Sequence, residues 1–146
     1  MSESNVKSKE AWYDECVALQ QDGELALAVS ELRKLLAVYS DYALARLALA
    51  VFLQEKGDED GALDEMQRAC ELAEDDPFYF SAFSALAHKC GDREKAEEAL
   101  EKAMEIRLQA QLQKMNELRN QELAARAERD RASTVETDDA SDSKSN

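Results

Sequence analysis

The stretch QEKGDEDGALDEM, residues 54–66, decides the fold, because its pattern occurs three times at one fixed spacing. Related stretches occupy residues 20–32 and 88–100. Each contains a glycine, and these glycines stand 34 residues apart: Gly23, Gly57 and Gly91. Five residues after each glycine comes an alanine: Ala28, Ala62 and Ala96. A fixed period of this length indicates a repeat protein, in which each unit buries its apolar face by stacking on its neighbours.

The spacing divides most of the chain into three units without insertions: 9–42, 43–76 and 77–110. Four residues after each alanine comes a larger apolar side chain, namely Leu32, Met66 and Leu100. A small residue lets two helices approach closely, and the larger one fills the space beside it. The pattern therefore predicts two helices in each unit, over residues 9–21, 24–39, 42–56, 59–73, 77–90 and from 93 onward.

Residues that cap helices occur at the predicted junctions. Asp76 precedes Pro77, which suits an N-cap followed by proline at the first helical position. The pairs Gly57-Asp58 and Gly91-Asp92 can end one helix at the glycine and cap the next with the aspartate. Asp41 is predicted to cap the first helix of the second unit.

This pattern resembles the tetratricopeptide repeat, whose second helix carries alanine and then a large apolar residue four positions on. The first helix of this family has one position that holds a small residue, and that position is also small in each unit here: Cys16, Ala50 and Ser84. Glu15 and Arg46 depart from the family at sites that are usually apolar, and the usual proline near the end of the second helix is missing. The resemblance implies an all-α fold, a right-handed helical solenoid of three helix–turn–helix repeats.

The segment from Arg93 to Ala132 contains no glycine or proline and is far longer than one repeat helix. Its first part completes the third unit, and an apolar stripe then continues at helical spacing: Leu108, Leu112, Met115 and Leu118. We expect residues 111–132 to form a helical extension of a long helix that caps the open end of the solenoid. Self-association through the stripe is the alternative. The polar residues 1–8 and the acidic tail 133–146 are predicted to be disordered.

Charge separates the repeats from the segment after them. Residues 1–106 carry a net charge of −13, residues 107–132 carry +2, and the whole chain carries −14. An acidic surface repels phosphate backbones, which argues against nucleic-acid binding. The excess acid is expected to form a solvated exterior, and the alternative is that it steers a basic partner.

The resemblance implies where a partner would bind. In such proteins the first helices of the units line a concave groove that holds an extended or helical segment of another protein. Carried onto this chain, the groove positions are Tyr13, Val17 and Gln20 in the first unit, Leu44, Leu47, Val51 and Gln54 in the second, and Phe78, Ser81, Ala85 and His88 in the third. Tyr13, Leu44, Leu47 and Phe78 are the candidate anchors, unless they only pack between helices.

Some members of this family grip the C-terminal carboxylate of heat-shock chaperones with basic and amide side chains in the groove. Here the corresponding sites are Tyr13, Val17, Ala48, Ser81 and Ala85, so that clamp is absent. An apolar or mixed segment is the expected partner.

Residues that carry chemistry form no pattern typical of an enzyme. Cys16, Cys70 and Cys90 match no disulfide framework or zinc motif, and Cys90 is expected to be the most exposed of the three. His88 is the only histidine. No nucleophile–base pairing or phosphate-binding loop occurs, so neither catalysis nor a cofactor or metal is expected.

The sequence therefore predicts a non-enzymatic adaptor or scaffold that binds a protein or peptide partner. The polar N-terminus carries no export signal and no stretch is apolar enough to span a membrane, so a cytoplasmic location is expected. Two alternatives remain open: a dedicated chaperone of secreted proteins, and a self-assembling scaffold that forms a homo-oligomer through its C-terminal helix.

Overall fold

The computed structural model describes the backbone of residues 7–144 and the side chains of residues 7–134. The described residues form six helices and no strand: α1 (Lys9–Gln21), α2 (Leu25–Val38), α3 (Ala43–Lys56), α4 (Glu59–Leu72), α5 (Pro77–Lys89) and α6 (Arg93–Lys144). The six predicted helices are confirmed, and both ends of the first five lie within one residue of the predicted ends. The chain divides into two compact units, Met1–Ile106 and Arg107–Asn146.

Three glycines end the first helix of each repeat in the same way. Gly23, Gly57 and Gly91 have φ of 86°, 96° and 78°, a left-handed conformation that glycine adopts without steric penalty. The N–H of the following residue donates to a carbonyl five residues earlier, as from Asp58 to Leu53 at 2.8 Å. This bond satisfies a carbonyl that the ending helix leaves unpaired. The glycine spacing therefore fixes the three turns.

Three aspartates cap helix N-termini. The side chains of Asp58, Asp76 and Asp92 accept hydrogen bonds from the backbone N–H groups of Gly61, Phe78 and Lys95 at 3.0–3.1 Å. The predicted cap at Asp41 is wrong. Because α3 begins at Ala43, Tyr42 takes the N-cap position, where it makes no side-chain cap bond.

The first unit, Met1–Ile106, contains the hydrophobic core. Helix α3 contacts both α1 and α5, and α2 and α4 each pack against the first helix on either side of them. Small side chains stand where helices cross: Cys16 and Ala28, Ala50 and Ala62, and Ser84 and Ala96. The last pair is close enough for the Ser84 hydroxyl to donate to the Ala96 carbonyl at 2.8 Å. The small residues that define the repeat thus allow the close packing of its two helices.

A polar contact joins the two helices in each of the first two repeats. The Trp12 indole N–H donates to Glu31 at 3.2 Å, and 34 residues later Arg46 pairs with the buried Glu65 at 2.9 Å. Arg46 also donates to the Ser40 carbonyl at 2.8 and 3.0 Å. Glu31 and Glu65 occupy the same repeat position, so the departure of Arg46 from the repeat pattern places a cation beside this glutamate, and the two charges compensate each other.

Residues 107–144 of the second unit, Arg107–Asn146, belong to α6, which continues without a break to Lys144. Its described side chains, over 107–134, are all exposed. Residues 133–144 are the end of α6, in which no glycine or proline occurs. Disorder of the tail 133–146 stays a prediction. At the other end, residues 1–6 lie outside the described residues, whereas the Ser8 side chain accepts from Ala11 N–H and caps α1.

Candidate partner-binding groove

The eleven predicted groove residues lie on α1, α3 and α5, and none of them is buried. Each is half-buried or exposed, whereas neighbours on the same helices, such as Cys16, Leu49 and Phe83, are buried. Residues three or four apart lie on one face of a helix, so the core residues and the groove residues occupy different faces. The three helices therefore offer a partly exposed surface, although some of its apolar side chains, such as Leu47 and Val51, also pack against the core.

At the polar end of this surface, one side chain is held by hydrogen bonds within the chain. The Gln20 side chain on α1 donates to both carboxylate oxygens of Glu55 on α3, at 3.1 and 3.3 Å. These bonds join two adjacent first helices. Gln20 is therefore less available to a partner than its position in the sequence suggests.

Aromatic rings gather where α1, α3 and α5 begin. The rings of Tyr13 and Tyr42 have centroids 5.9 Å apart with 49° between their planes, and the Lys9 ammonium lies over the Tyr42 ring, 4.8 Å from its centroid. The Tyr79 ring makes an edge-to-face contact with Phe78, with centroids 5.2 Å apart, and Tyr79 also interacts electrostatically with Tyr13 and Tyr42. We call Tyr13, Tyr42 and Tyr79 the aromatic cluster.

The aromatic cluster is half-buried and lies in a negative field. Burial raises the pKa of all three phenols above the ordinary value. Nearby carboxylates add to this rise in pKa: Asp14 at Tyr13, Glu10 and Asp14 at Tyr42, and Asp76 at Tyr79. The phenols therefore stay neutral at physiological pH, and acidic groups surround the rings.

The third repeat carries an open cavity of about 680 Å³ between α5 and the start of α6. Ser81, Ala85 and His88 line it from α5, and Ala96 and Leu100 line it from α6. The three predicted groove residues of α5 therefore also border this cavity, while Phe78, which is 54% exposed, lies outside its lining.

The cysteines differ in burial, as expected. Burial raises the pKa of Cys16 to about 11 and that of Cys70 to about 12, whereas Cys90 is only partly buried. Within the described part of the chain, no three His, Cys, Asp or Glu side chains are grouped so that they could hold a metal ion. None of the helices there is long and apolar enough to cross a bilayer.

Two members of the aromatic cluster were missed by the sequence reading. Tyr42 is the last residue of the first unit and Tyr79 lies next to an assigned groove position, so neither falls at a position that the family pattern marks. The four tyrosines of the chain follow no fixed spacing, so the sequence contains no signal that singles out these two. Their association needs three units to stack, which a pattern within one unit does not report.

Comparisons with known proteins identify the class of fold. A family model described as tetratricopeptide repeat matches residues 82–109. A crystal structure of MamA is 21% identical with a TM-score of 0.62, and 70% of this chain aligns with 60% of that one. The chain in the CopN-Scc3 complex is 21% identical with a TM-score of 0.61, over 73% of this chain and 61% of that one.

A third similar structure is titled as the second TPR of Spaghetti (RPAP3) bound to HSP90 peptide SRMEEVD. It is 14% identical with a TM-score of 0.59, and 68% of this chain aligns with 93% of it. No sequence among the curated proteins matches the chain. The chain spans about 60% of the MamA structure that it matches.

These likenesses and the repeat geometry agree on one class, an all-α helical repeat solenoid. Within that class the chain has the fold of the tetratricopeptide repeat structures that it resembles, and the family model places one such repeat at residues 82–109.

Proposed function

We propose that this chain is a non-enzymatic adaptor that holds a segment of a protein partner on the surface formed by α1, α3 and α5. One observation carries this proposal: half-buried aromatic and aliphatic side chains leave part of their surface uncovered on these three helices. Leu44, Leu47 and Val51 on α3 are all of this kind. A partner that covers them gains hydrophobic free energy without requiring the receptor to reorganise.

The composition of the surface favours a segment with apolar side chains over one that ends in an anchored carboxylate. Tyr13, Val17, Ser81 and Ala85 present no cation at the sites where a carboxylate clamp would need one, and Ala48 is buried. The repeats are strongly acidic, so an acidic tail meets repulsion. The similar RPAP3 domain is bound to an acidic peptide, and we expect this chain not to bind that peptide.

The test is affinity capture from the native lysate with the wild-type chain and a Tyr13→Ala/Leu47→Asp/Phe78→Ala variant. The matched control is Leu27→Ala/Leu72→Ala, because those exposed side chains lie on α2 and α4 and at none of the groove positions. Circular dichroism must show that all three proteins are folded. We expect one partner to be retained by the control and lost by the groove variant.

Two results would contradict the proposal. The first is a partner that the folded groove variant retains at wild-type affinity. The second is tight binding of the peptide SRMEEVD in a direct titration, because that peptide requires the cationic groups that the groove lacks.

A second candidate function, self-assembly, is favoured by the apolar stripe of the second unit. Leu108, Leu112, Met115, Leu118 and Leu123 are 50–63% exposed, and they lie on one helix. Pairing of two such helices would bury these side chains. Light scattering at high concentration should then give a dimer that Leu108→Gln/Met115→Gln dissociates, and a monomer at every concentration would rule this function out.

A further inference from the structure

We propose that the aromatic cluster recognises a cationic side chain, an arginine or a lysine, within the partner segment. This inference rests on the proposed function and specifies the chemistry of one position of the partner. The geometry of Tyr13, Tyr42 and Tyr79 carries it, together with the position of Lys9 and the charge around the rings.

The rings offer faces rather than only edges. Tyr13 and Tyr42 are tilted by 49° with centroids 5.9 Å apart, so the rings are not stacked face to face, and the Lys9 ammonium lies over the Tyr42 face. The face of an aromatic ring is the negative end of its quadrupole, and a cation within about 6 Å of the centroid is attracted to it. The rings are half-buried, which lowers the local dielectric and strengthens that attraction.

Lys9 shows that this site accepts a cation. Its ammonium lies 4.8 Å from the centroid of Tyr42, although a lysine on an exposed first turn could extend into water instead. The contact is made by a flexible side chain from the same chain. A partner's arginine would compete with Lys9 for the ring, and its planar guanidinium could also stack on Tyr13.

The charge around the cluster has the sign that a cationic ligand requires. Glu10 and Asp14 act on Tyr42, and Asp76 acts on Tyr79. Lys9 is the one cation placed at these rings by a described contact, and residues 1–106 as a whole carry −13. Carboxylates beside ring faces stabilise a bound cation and repel a bound anion. An apolar ligand would gain no binding free energy from these carboxylates.

The test is a titration followed by NMR of the tyrosine ring signals in the full chain. The probe is Nα-acetylarginine methylamide, and the control ligand is the citrulline counterpart, which has the same shape without the charge. We expect the arginine probe to shift the signals of Tyr13, Tyr42 and Tyr79, and the citrulline compound to leave them in place. Equal shifts with both ligands, or none with either, would overturn the proposal.

Four variants sharpen the test. Tyr42→Leu should abolish the shifts, whereas Tyr39→Leu, a half-buried tyrosine at the end of α2, should keep them. Lys9→Met should tighten binding about two- to fivefold, the value of a cation–π contact at an exposed site, because the internal competitor is gone. Lys34→Met removes the same charge from α2 and should change affinity less. Weaker binding in Lys9→Met than in Lys34→Met would contradict the competition.

Failure of this inference can be told apart from failure of the adaptor proposal. Tyr42 is not part of the groove variant used for capture. If Tyr42→Leu keeps a captured partner at full affinity while the groove variant loses it, the adaptor proposal stands and cation recognition is refuted. If the arginine probe binds but the groove variant keeps its partner, the adaptor proposal fails instead.

Discussion

The first two repeats and the third carry similar side chains in different surroundings. Leu32 and Met66 are completely buried, whereas Leu100, at the same repeat position, is 47% exposed. Four residues on, Leu36 and Cys70 are 6% and 2% exposed and Met104 is 59% exposed. In the first two repeats these positions are covered by the repeat that follows. The comparison shows that the repeat pattern determines which kind of side chain stands at a position, while the following repeat determines whether that side chain is buried.

The largest effect on stability is expected when a side chain buried by the following repeat is truncated. Leu32→Ala is expected to lower the free energy of unfolding by about 3 kcal/mol, because it removes a fully buried side chain and leaves a cavity. Leu100→Ala should lower it by less than about 1 kcal/mol. Urea unfolding followed by helical circular dichroism measures both. Similar losses in the two variants would mean that Leu100 is covered in solution.

The next effect concerns the polar pair that the third repeat lacks. Where Arg46 and Glu65 pair in the second repeat, the third has Phe80 and Ala99. Arg46→Ala is expected to lower the free energy of unfolding by about 2 kcal/mol, because it leaves the Glu65 carboxylate buried with only Arg68, at 3.4 Å, as a partner.

The double variant Arg46→Leu/Glu65→Leu tests the same pair by replacing both charges with apolar side chains. It should recover most of that loss, because apolar residues at both positions reproduce the arrangement of the third repeat. Urea unfolding of the single and double variants gives the comparison. A double variant as unstable as Arg46→Ala would show that the ion pair itself is required.

A smaller effect is expected at the helix starts. Asp76→Ala should cost about 1 kcal/mol, because the Asp76 carboxylate caps α5 through the Phe78 N–H. Asp41→Ala is the matched control, since Asp41 lies before α3 without capping it, and should change stability by less than about 0.5 kcal/mol. Thermal unfolding measures the stability of both variants. A large loss of stability in Asp41→Ala would mean that Asp41 caps α3, as predicted from the sequence.

The smallest effect is expected from pH, through Cys70. Burial raises its pKa from 9.0 to about 12, so the folded state keeps the thiol protonated where the unfolded state does not. The stabilisation is complete below pH 9 and is lost as the pH rises toward 12. Between pH 8 and 10, Cys70→Ala should therefore lose less stability than wild type.

Cys90→Ala is the control for this titration, because Cys90 is only partly buried. Urea midpoints at the two pH values measure the difference for all three proteins. The same pH dependence in Cys70→Ala and wild type would contradict a protonated, buried Cys70 thiol.

The helices and turns could be predicted because their signals are local. A glycine with positive φ followed by a capping residue determines where a helix ends, and Gly57-Asp58 shows both parts of this signal. The cap at Asp41 could not be placed, because a shift of one residue in the start of α3 moves the N-cap to Tyr42. Local signals therefore locate an element more surely than its terminal residue.

The candidate site could be predicted only in part. The family pattern names groove positions one helix at a time, and these positions stay predictions. It does not report contacts between helices, so it missed the ring contact of Tyr13 on α1 with Tyr42 at the start of α3. It also treated Gln20 as available although Glu55 holds it. Both contacts join residues of different helices, and their geometry depends on how the repeats stack.

The sequence by itself determined the number of repeats, the helices and the small residues at their crossings, because each follows from spacing along one chain segment. Only the tertiary structure decided which equivalent positions are buried, how Arg46 is compensated, and which rings meet. The physical reason is that burial and charge pairing depend on the neighbour in space. For Leu32 that neighbour is the next repeat, and for Leu100 no fourth repeat follows within this sequence.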